Sequence, residues 1–180
     1  MHGISGLIYL PEYISDPHHD WLTEQIDQQE WDTGMKRRVQ HYGYRYDYKA
    51  RKVTPDMYLG ELPAWLDRIA KQLYLDGLID AVPDQVIINE YKPGQGIAAH
   101  IDCEPCFGHR VFSLSLGGAA IMEFSQPSKE TVELLLEPRS LVMIYGDARY
   151  NWKHAIPARK SDNGQARTRR ISLTFRKVTI

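Results

Sequence analysis

Two side chains able to ligate a metal, His100 and Asp102, stand one residue apart in Ala99-His100-Ile101-Asp102. In extended chain successive side chains alternate faces, so these two project together while Ile101 points the opposite way. With a distant imidazole they form a two-His, one-carboxylate set, which suits non-haem Fe(II) and leaves coordination positions open for other ligands. The favoured third ligand is His154, in Trp152-Lys153-His154-Ala155-Ile156-Pro157. His109 is the rival, although so short a loop back to Asp102 would crowd the site.

A second pattern lies near the C-terminus. Arg170-Ile171-Ser172-Leu173-Thr174-Phe175-Arg176 alternates strictly, with three apolar residues on one face and Arg170, Ser172, Thr174 and Arg176 on the other. If the apolar face packs on helices, the guanidiniums look inward, where an unpaired charge is costly. A small dicarboxylate would satisfy them. Six residues of strand span about 20 Å. Both arginines therefore serve one ligand only by leaning inward, unless one pairs with a metal-ligand carboxylate instead. Asn89 and Tyr91 share a face in the same way, an amide and a phenol suited to a carboxylate or keto oxygen.

Elements must position these residues. Gly6 to Leu10 reads as a short strand, and Ser15-Asp16-Pro17 starts a helix running to about Glu30. Gln40 to Tyr48 reads as a strand or hairpin. Leu62, Trp65, Leu66, Ile69 and Leu73 recur at helical spacing, predicting a second helix over 62–75 that ends at Asp76-Gly77. Strands are expected over 86–91, 97–101, 111–117, 119–125, 132–136, 140–145 and 168–178, with 160–165 a loop. Helices followed by many short strands indicate an α+β, mainly β fold: a double-sheet roll buttressed by helices on one side.

The chain has 180 residues, 43% apolar and 25% charged, enough for one domain with a core of its own. No window is long and apolar enough for a membrane helix, and the start lacks the basic and apolar segments of a signal peptide. Cys103 and Cys106 lack a second pair at zinc spacing. They read as bystander thiols in a reducing compartment, the cytoplasm or nucleus. A net charge of -1 carries no global nucleic-acid signature. Yet seven cations lie between Lys36 and Lys52, among them Arg38 and Arg45, interleaved with Tyr42, Tyr44, Tyr46 and Tyr48. Cations neutralise phosphates and aromatic faces stack on bases.

Asn89-Glu90-Tyr91, His100-Ile101-Asp102, Ser113 to Gly117, His154-Ala155-Ile156 and Arg170 to Arg176, in that order, resemble the AlkB family of Fe(II)- and 2-oxoglutarate-dependent dioxygenases. The resemblance implies a double-stranded β-helix, or jelly roll, formed by a single domain over residues 1–180. It implies Fe(II) on His100, Asp102 and His154, with no catalytic group beyond that centre. It further implies 2-oxoglutarate on Asn89, Tyr91, Arg170, Ser172, Thr174 and Arg176, with O2 as the second co-substrate. Gly43-Tyr44-Arg45-Tyr46 resembles part of the family's nucleotide-recognition lid, placed here over 36–60, with Arg38, Tyr44, Arg45 and Tyr46 as nucleic-acid contacts. Glu104 matches an acidic residue that alkylation-repair members set beside the exocyclic amine of a damaged base, sound chemistry for adenine or cytosine. The expected reaction is oxidative demethylation of a 1-methyladenine or 3-methylcytosine type of base by a monomer, releasing formaldehyde, succinate and CO2. Val39 to Tyr46 and Gly146 to His154 resemble instead the oxygenase domain of tRNA wobble-uridine hydroxylases, the alternative reading.

Overall fold

The computed structural model describes residues 3–180. Helix α1 (Asp16–Asp27) starts where Ser15 caps it, its hydroxyl accepting from the His18 amide at 3.3 Å. Helix α2 (Ala64–Leu75) follows Pro63 and buries Leu66, Ile69, Ala70 and Leu73. The strands are β1 (Leu7–Leu10), β2 (Val39–Tyr42), β3 (Gln85–Tyr91), β4 (Ile97–His100), β5 (Phe107–Gly117), β6 (Ala120–Ser125), β7 (Val132–Leu136) and β8 (Leu141–Tyr145). After the one-turn helix α3 (Gly146–Tyr150) come β9 (Lys153–Ile156), β10 (Ser161–Asp162), β11 (Gln165–Ala166) and β12 (Arg170–Val178).

Two antiparallel sheets result, of six strands in the order β1-β8-β5-β12-β3-β2 and of four in the order β4-β9-β6-β7. This is the double-sheet roll expected from the strand pattern, and the jelly roll that the family resemblance implied. The β12 alternation decides what each face of the major sheet does. Ile171, Leu173 and Phe175 join Ile88, Phe112, Leu114 and Leu116 against Leu22, Ile26 and Leu73 of the two helices. Between the sheets, Tyr91, Val111, Val142 and Ile144 pack with Met122, Phe124 and Ile156. Hence Arg170, Ser172, Thr174 and Arg176 point into the roll.

Four local expectations change. Of the strand or hairpin read over 40–48, the strand alternative holds only as far as Tyr42: β2 pairs with β3, and the chain leaves the sheet at Gly43. A Cβ at Gly43 would lie 1.8 Å from the Asp84 carbonyl oxygen, and its φ is +75°, so only glycine fits the exit. His154 lies on a strand, β9, that the sequence pattern did not disclose. The expected loop at 160–165 is a two-residue hairpin whose Asn163 and Gly164 both have positive φ, the chemistry of a type I′ turn. Finally, Cys103 and Cys106 are joined in a disulfide, so the thiol argument for a reducing compartment is withdrawn. Vicinal placement across one turn brings the two sulfurs within bonding reach.

Asp162, on the small hairpin, anchors the chain between β9 and β12. It accepts from Arg159 at 2.7 Å, from Arg167 at 2.6 and 2.9 Å, and from the Ile121 amide at 3.2 Å. Burial alone would raise its pKa, but these donors outweigh it and bring the value from 3.8 to about 2. A carboxylate with a depressed folded pKa contributes stability above its unfolded pKa and loses it as pH falls through the folded one. Asp162→Asn should therefore unfold at lower urea than wild type at pH 7. The two midpoints should converge as pH drops from about 4 to about 2; parallel curves across that range would contradict the assignment.

Candidate metal centre

His100 ends β4 and His154 sits on β9, directly opposite in the ladder of the minor sheet. Their rings face one another with centroids 4.4 Å apart. Asp102 lies two residues beyond β4, and its Oδ1 is 3.4 Å from Nε2 of each histidine. The three donor atoms lie within 4.8 Å of one another. The alternation drawn from His100-Ile101-Asp102 thus produces convergence, although Asp102 itself stands past the strand end. His100 Nδ1 is 2.8 Å from the Ala98 carbonyl, which fixes Nδ1 as the protonated nitrogen and leaves Nε2 free to donate to a metal. Two imidazoles and a carboxylate on one side of an open space match the donor set of non-haem Fe(II). His109 is directed elsewhere, 4.0 Å from Asp80.

Asp102 is 5% exposed, so burial by itself would push its carboxyl up. Arg176 and the two imidazoles outweigh that and hold it well below the ordinary range. Arg176 Nε donates to Asp102 Oδ2 at 2.7 Å and NH1 to Gln85 Oε1 at 3.3 Å. Of the two options open for the strand's arginines, Arg176 takes the carboxylate. Burial lowers the His154 pKa despite the neighbouring Asp102, favouring the neutral imidazole that a metal requires.

Arg170 takes the other end. It is 2% exposed, donates from NH2 to Ser115 Oγ at 2.9 Å, and stacks its guanidinium 5.3 Å from the Tyr91 ring centroid. Its Nε and NH1 are buried without a partner. Burial pulls its pKa down, with the Tyr91 hydroxyl opposing. Such orphaned donors call for an anion that the protein does not itself supply. The chamber in front of them, about 70 Å3, is lined by Asn89, Tyr91, Ser113, Ser172 and Thr174 and reaches His100 and His154. A small dicarboxylate therefore fits between Arg170 and the metal-ligating set.

A larger cavity of about 320 Å3 adjoins this chamber and shares Asn89, His100 and Arg176 with it. Its wall includes Arg37, Tyr46, Tyr48, Arg51 and Phe107. Of the pair 37–38, it is Arg37 and not Arg38 that lines this cavity. Arg38 turns to the helix side, bidentate on Glu90 at 2.7 and 2.9 Å and stacked on Trp31. Arg37 turns to the cavity, with Nε on Asn89 Oδ1 at 2.8 Å and NH1 on the Gly96 carbonyl at 3.2 Å. Arg45 lines a separate groove with Trp31, Asp32 and Tyr42. Tyr44 packs on Tyr58 and on the cluster of Val53, Cys103 and Phe107. Glu104 is exposed on the turn that the disulfide closes and is not among the described residues lining the cavity. Of the expected nucleic-acid contacts only Tyr46 reaches the wall.

The family model described as the 2OG-Fe(II) oxygenase superfamily matches residues 6–176. The chain is 39% identical to protein L905 of Acanthamoeba polyphaga mimivirus over 183 residues, 98% of this chain and 86% of that one. It is 38% identical to the mouse tRNA (carboxymethyluridine(34)-5-O)-methyltransferase ALKBH8 over 202 residues, 96% of this chain but only 30% of the mouse protein. Among solved structures, OsALKBH1 superposes with a TM-score of 0.71 at 19% identity, covering 96% of each chain. Among the described residues no helix is long and apolar enough to cross a membrane.

Removing the guanidinium from Arg176 would leave a buried carboxylate with only the imidazoles beside it. Arg176→Ala should destabilise the metal-free protein by about 3 kcal/mol in urea unfolding. A variant as stable as wild type would show that the 2.7 Å pair contributes nothing.

Proposed function

The chain belongs to the 2OG-Fe(II) oxygenase superfamily and, within it, to the AlkB family, and from that premise we propose that it hydroxylates the side chain of a modified uridine in RNA. Fe(II), 2-oxoglutarate and O2 are the family's cofactor and co-substrates, and together they supply the oxidation of a substrate C–H bond with release of succinate and CO2. In this reading His100, Asp102 and His154 hold the metal. Arg170 binds the distal carboxylate of 2-oxoglutarate with help from Tyr91, Ser172 and Thr174. Asn89 lies at the junction of chamber and cavity, where Arg37 orients its amide, and Arg176 keeps the Asp102 carboxylate ionised and aimed. Val111, Val142 and Ile144 keep water away from the chamber wall.

The observation that carries the substrate reading is the donor character of the larger cavity. Arg37 and Arg51 carry N–H groups beyond those bound to Asn89, Gly96 and Ile101, Tyr46 and Tyr48 add hydroxyls, and the one carboxylate in the wall, Asp102, is already engaged. Uracil presents two carbonyl acceptors, and an acidic or ester side chain at C5 adds more. Adenine and cytosine present an amino donor, which needs an acceptor that Glu104 does not bring to the wall. The name of the mouse relative, a tRNA carboxymethyluridine enzyme, points the same way. Repair-type demethylation, the expectation resting on Glu104, becomes the second reading. Residues 36–60 act as the lid over the cavity, with Arg37, Tyr46, Tyr48 and Arg51 in place of Arg38, Tyr44 and Arg45. The unit works as a monomer, in a compartment that holds its RNA substrate.

Incubated with Fe(II), 2-oxoglutarate and RNA carrying a 5-carboxymethyl type of uridine, the protein should add one oxygen atom to the nucleoside without formaldehyde. Formaldehyde from 1-methyladenine oligonucleotides, with the uridine unchanged, would overturn this reading in favour of the second. Glu104→Gln should leave turnover within about twofold, since an exposed side chain off the wall costs little on exchange.

Arg170 makes a separate, less intuitive prediction. Arg170→Met should make the ligand-free protein more stable by about 1–3 kcal/mol, because it removes a buried charge without a carboxylate partner. The same variant should gain no thermal stabilisation from 2-oxoglutarate, whereas wild type does. Equal protection of both proteins would remove Arg170 from the co-substrate site.

A further inference from the structure

Arg149 is 1% exposed, and among the described residues it lies within ion-pair distance of no carboxylate. Its donors go instead to four backbone carbonyls, two in the loop after β4 and two at the start of β5: Asp102 at 2.8 Å, Cys103 at 3.2 Å, Phe107 at 3.4 Å and Gly108 at 3.4 Å. The partial negative charge of the converging carbonyls stands where a carboxylate would otherwise be needed. Resting on the reading that His100, Asp102 and His154 hold the metal, we infer that Arg149 is the positioning residue that sets the backbone of Asp102, and with it the third metal ligand.

The need for such a group follows from the topology. His100 and His154 are opposite each other in a β-ladder, so strand pairing fixes their separation. Asp102 is off the end of β4, in a segment without ladder bonds, and its carbonyl must find another partner. Arg149 supplies it. The same residue stands five positions before His154, on the α3 turn that leads into β9. One guanidinium therefore ties the segment carrying one ligand to the loop carrying another. A planar fork with five donors can span four carbonyls, which a lysine ammonium on its single point cannot. Arg176 aims the Asp102 carboxylate from the far side, so backbone and side chain of this ligand are held by different cations.

The test compares wild type, Arg149→Lys and His154→Ala as metal-free proteins. Fe(II) affinity is measured anaerobically by equilibrium dialysis, and Co(II) binding is followed by its visible spectrum. Arg149→Lys should keep wild-type circular dichroism, weaken Fe(II) binding by about 10- to 100-fold and alter the Co(II) spectrum, as loss of a group that orients a ligand does. Wild-type affinity and an unchanged spectrum in a folded Arg149→Lys protein would overturn the inference. If His154→Ala also binds metal as wild type does, the metal-site reading itself fails. If His154→Ala loses binding and Arg149→Lys does not, only the positioning role fails. An Arg149→Lys protein that stays unfolded at 4 °C with Mn(II) and 2-oxoglutarate present would assign Arg149 to stability alone, which also overturns the inference.

Discussion

A single buried carboxylate governs this molecule. Asp102 sits between two sheets, 5% exposed, and in that setting its charge survives only because three cationic or polarised groups surround it. The attraction is directional. Arg176 comes from the major sheet and the two histidines from the minor one, so neutralising Asp102 also draws the sheets to a set separation. Buried ion pairs add little net stability when compared with well-packed apolar side chains. Their retention here is understood through geometry: the arrangement that keeps Asp102 ionised is the one that leaves its oxygen and two imidazole nitrogens converging on one point.

Arg170 illustrates the opposite balance. Where Asp102 is satisfied within the protein, Arg170 is satisfied at only one of its nitrogens and leaves two buried donors open. A fold optimised for stability alone would place an aliphatic side chain there, as Ile171 and Leu173 do on the other face of the same strand. An unfilled hydrogen-bond capacity in a packed interior is a cost carried by the empty protein and returned when an anion enters. The two arginines of β12, chemically identical in sequence, thus do unlike things, because one has a carboxylate within reach and the other does not.

How far the residues alone disclosed this depended on period and register. The two-residue period of Arg170 to Arg176 and of Asn89 and Tyr91 was readable, since period 2 needs no knowledge of partners. So were the pairing of His100 with Asp102 and the two amphipathic helices. Arg37 and Arg38 show the limit. Adjacent residues in extended chain face opposite ways, and which one enters the cavity depends on how β2 pairs with β3, where Val39 opposes Asn89. Nothing in Lys36-Arg37-Arg38 states that register. Glu104 lies off the cavity wall for a related reason. The Cys103–Cys106 link curls the chain after Asp102 into a turn, which ends the alternation and leaves Glu104 outside. Arg149 was invisible because its partners are carbonyls, which every residue has, so no spacing of side-chain types marks it.

The division of labour around the larger cavity has a consequence for selectivity. The β-ladder sets His100 opposite His154, whereas one side of the larger cavity, Arg37, Tyr46, Tyr48 and Arg51, comes from residues outside the named strands. Tyr46 and Tyr48 meet edge to face at 5.0 Å, and Tyr46 also leans on Phe107, so the aromatic surface rests on the strand that follows the Asp102 loop. Arg51 donates to the Ile101 carbonyl at 2.9 Å, and its own carbonyl lies against both sulfurs of the disulfide. Residues 46–51 and the loop carrying Asp102 are therefore one packed unit rather than two independent parts. Substitutions at Tyr46, Tyr48 or Arg51 can reshape the cavity without touching His100, Asp102 or His154, but only if they preserve these contacts with residues 101–107. Where they do not, the cavity wall and the position of Asp102 change together, because the same short loop supports both.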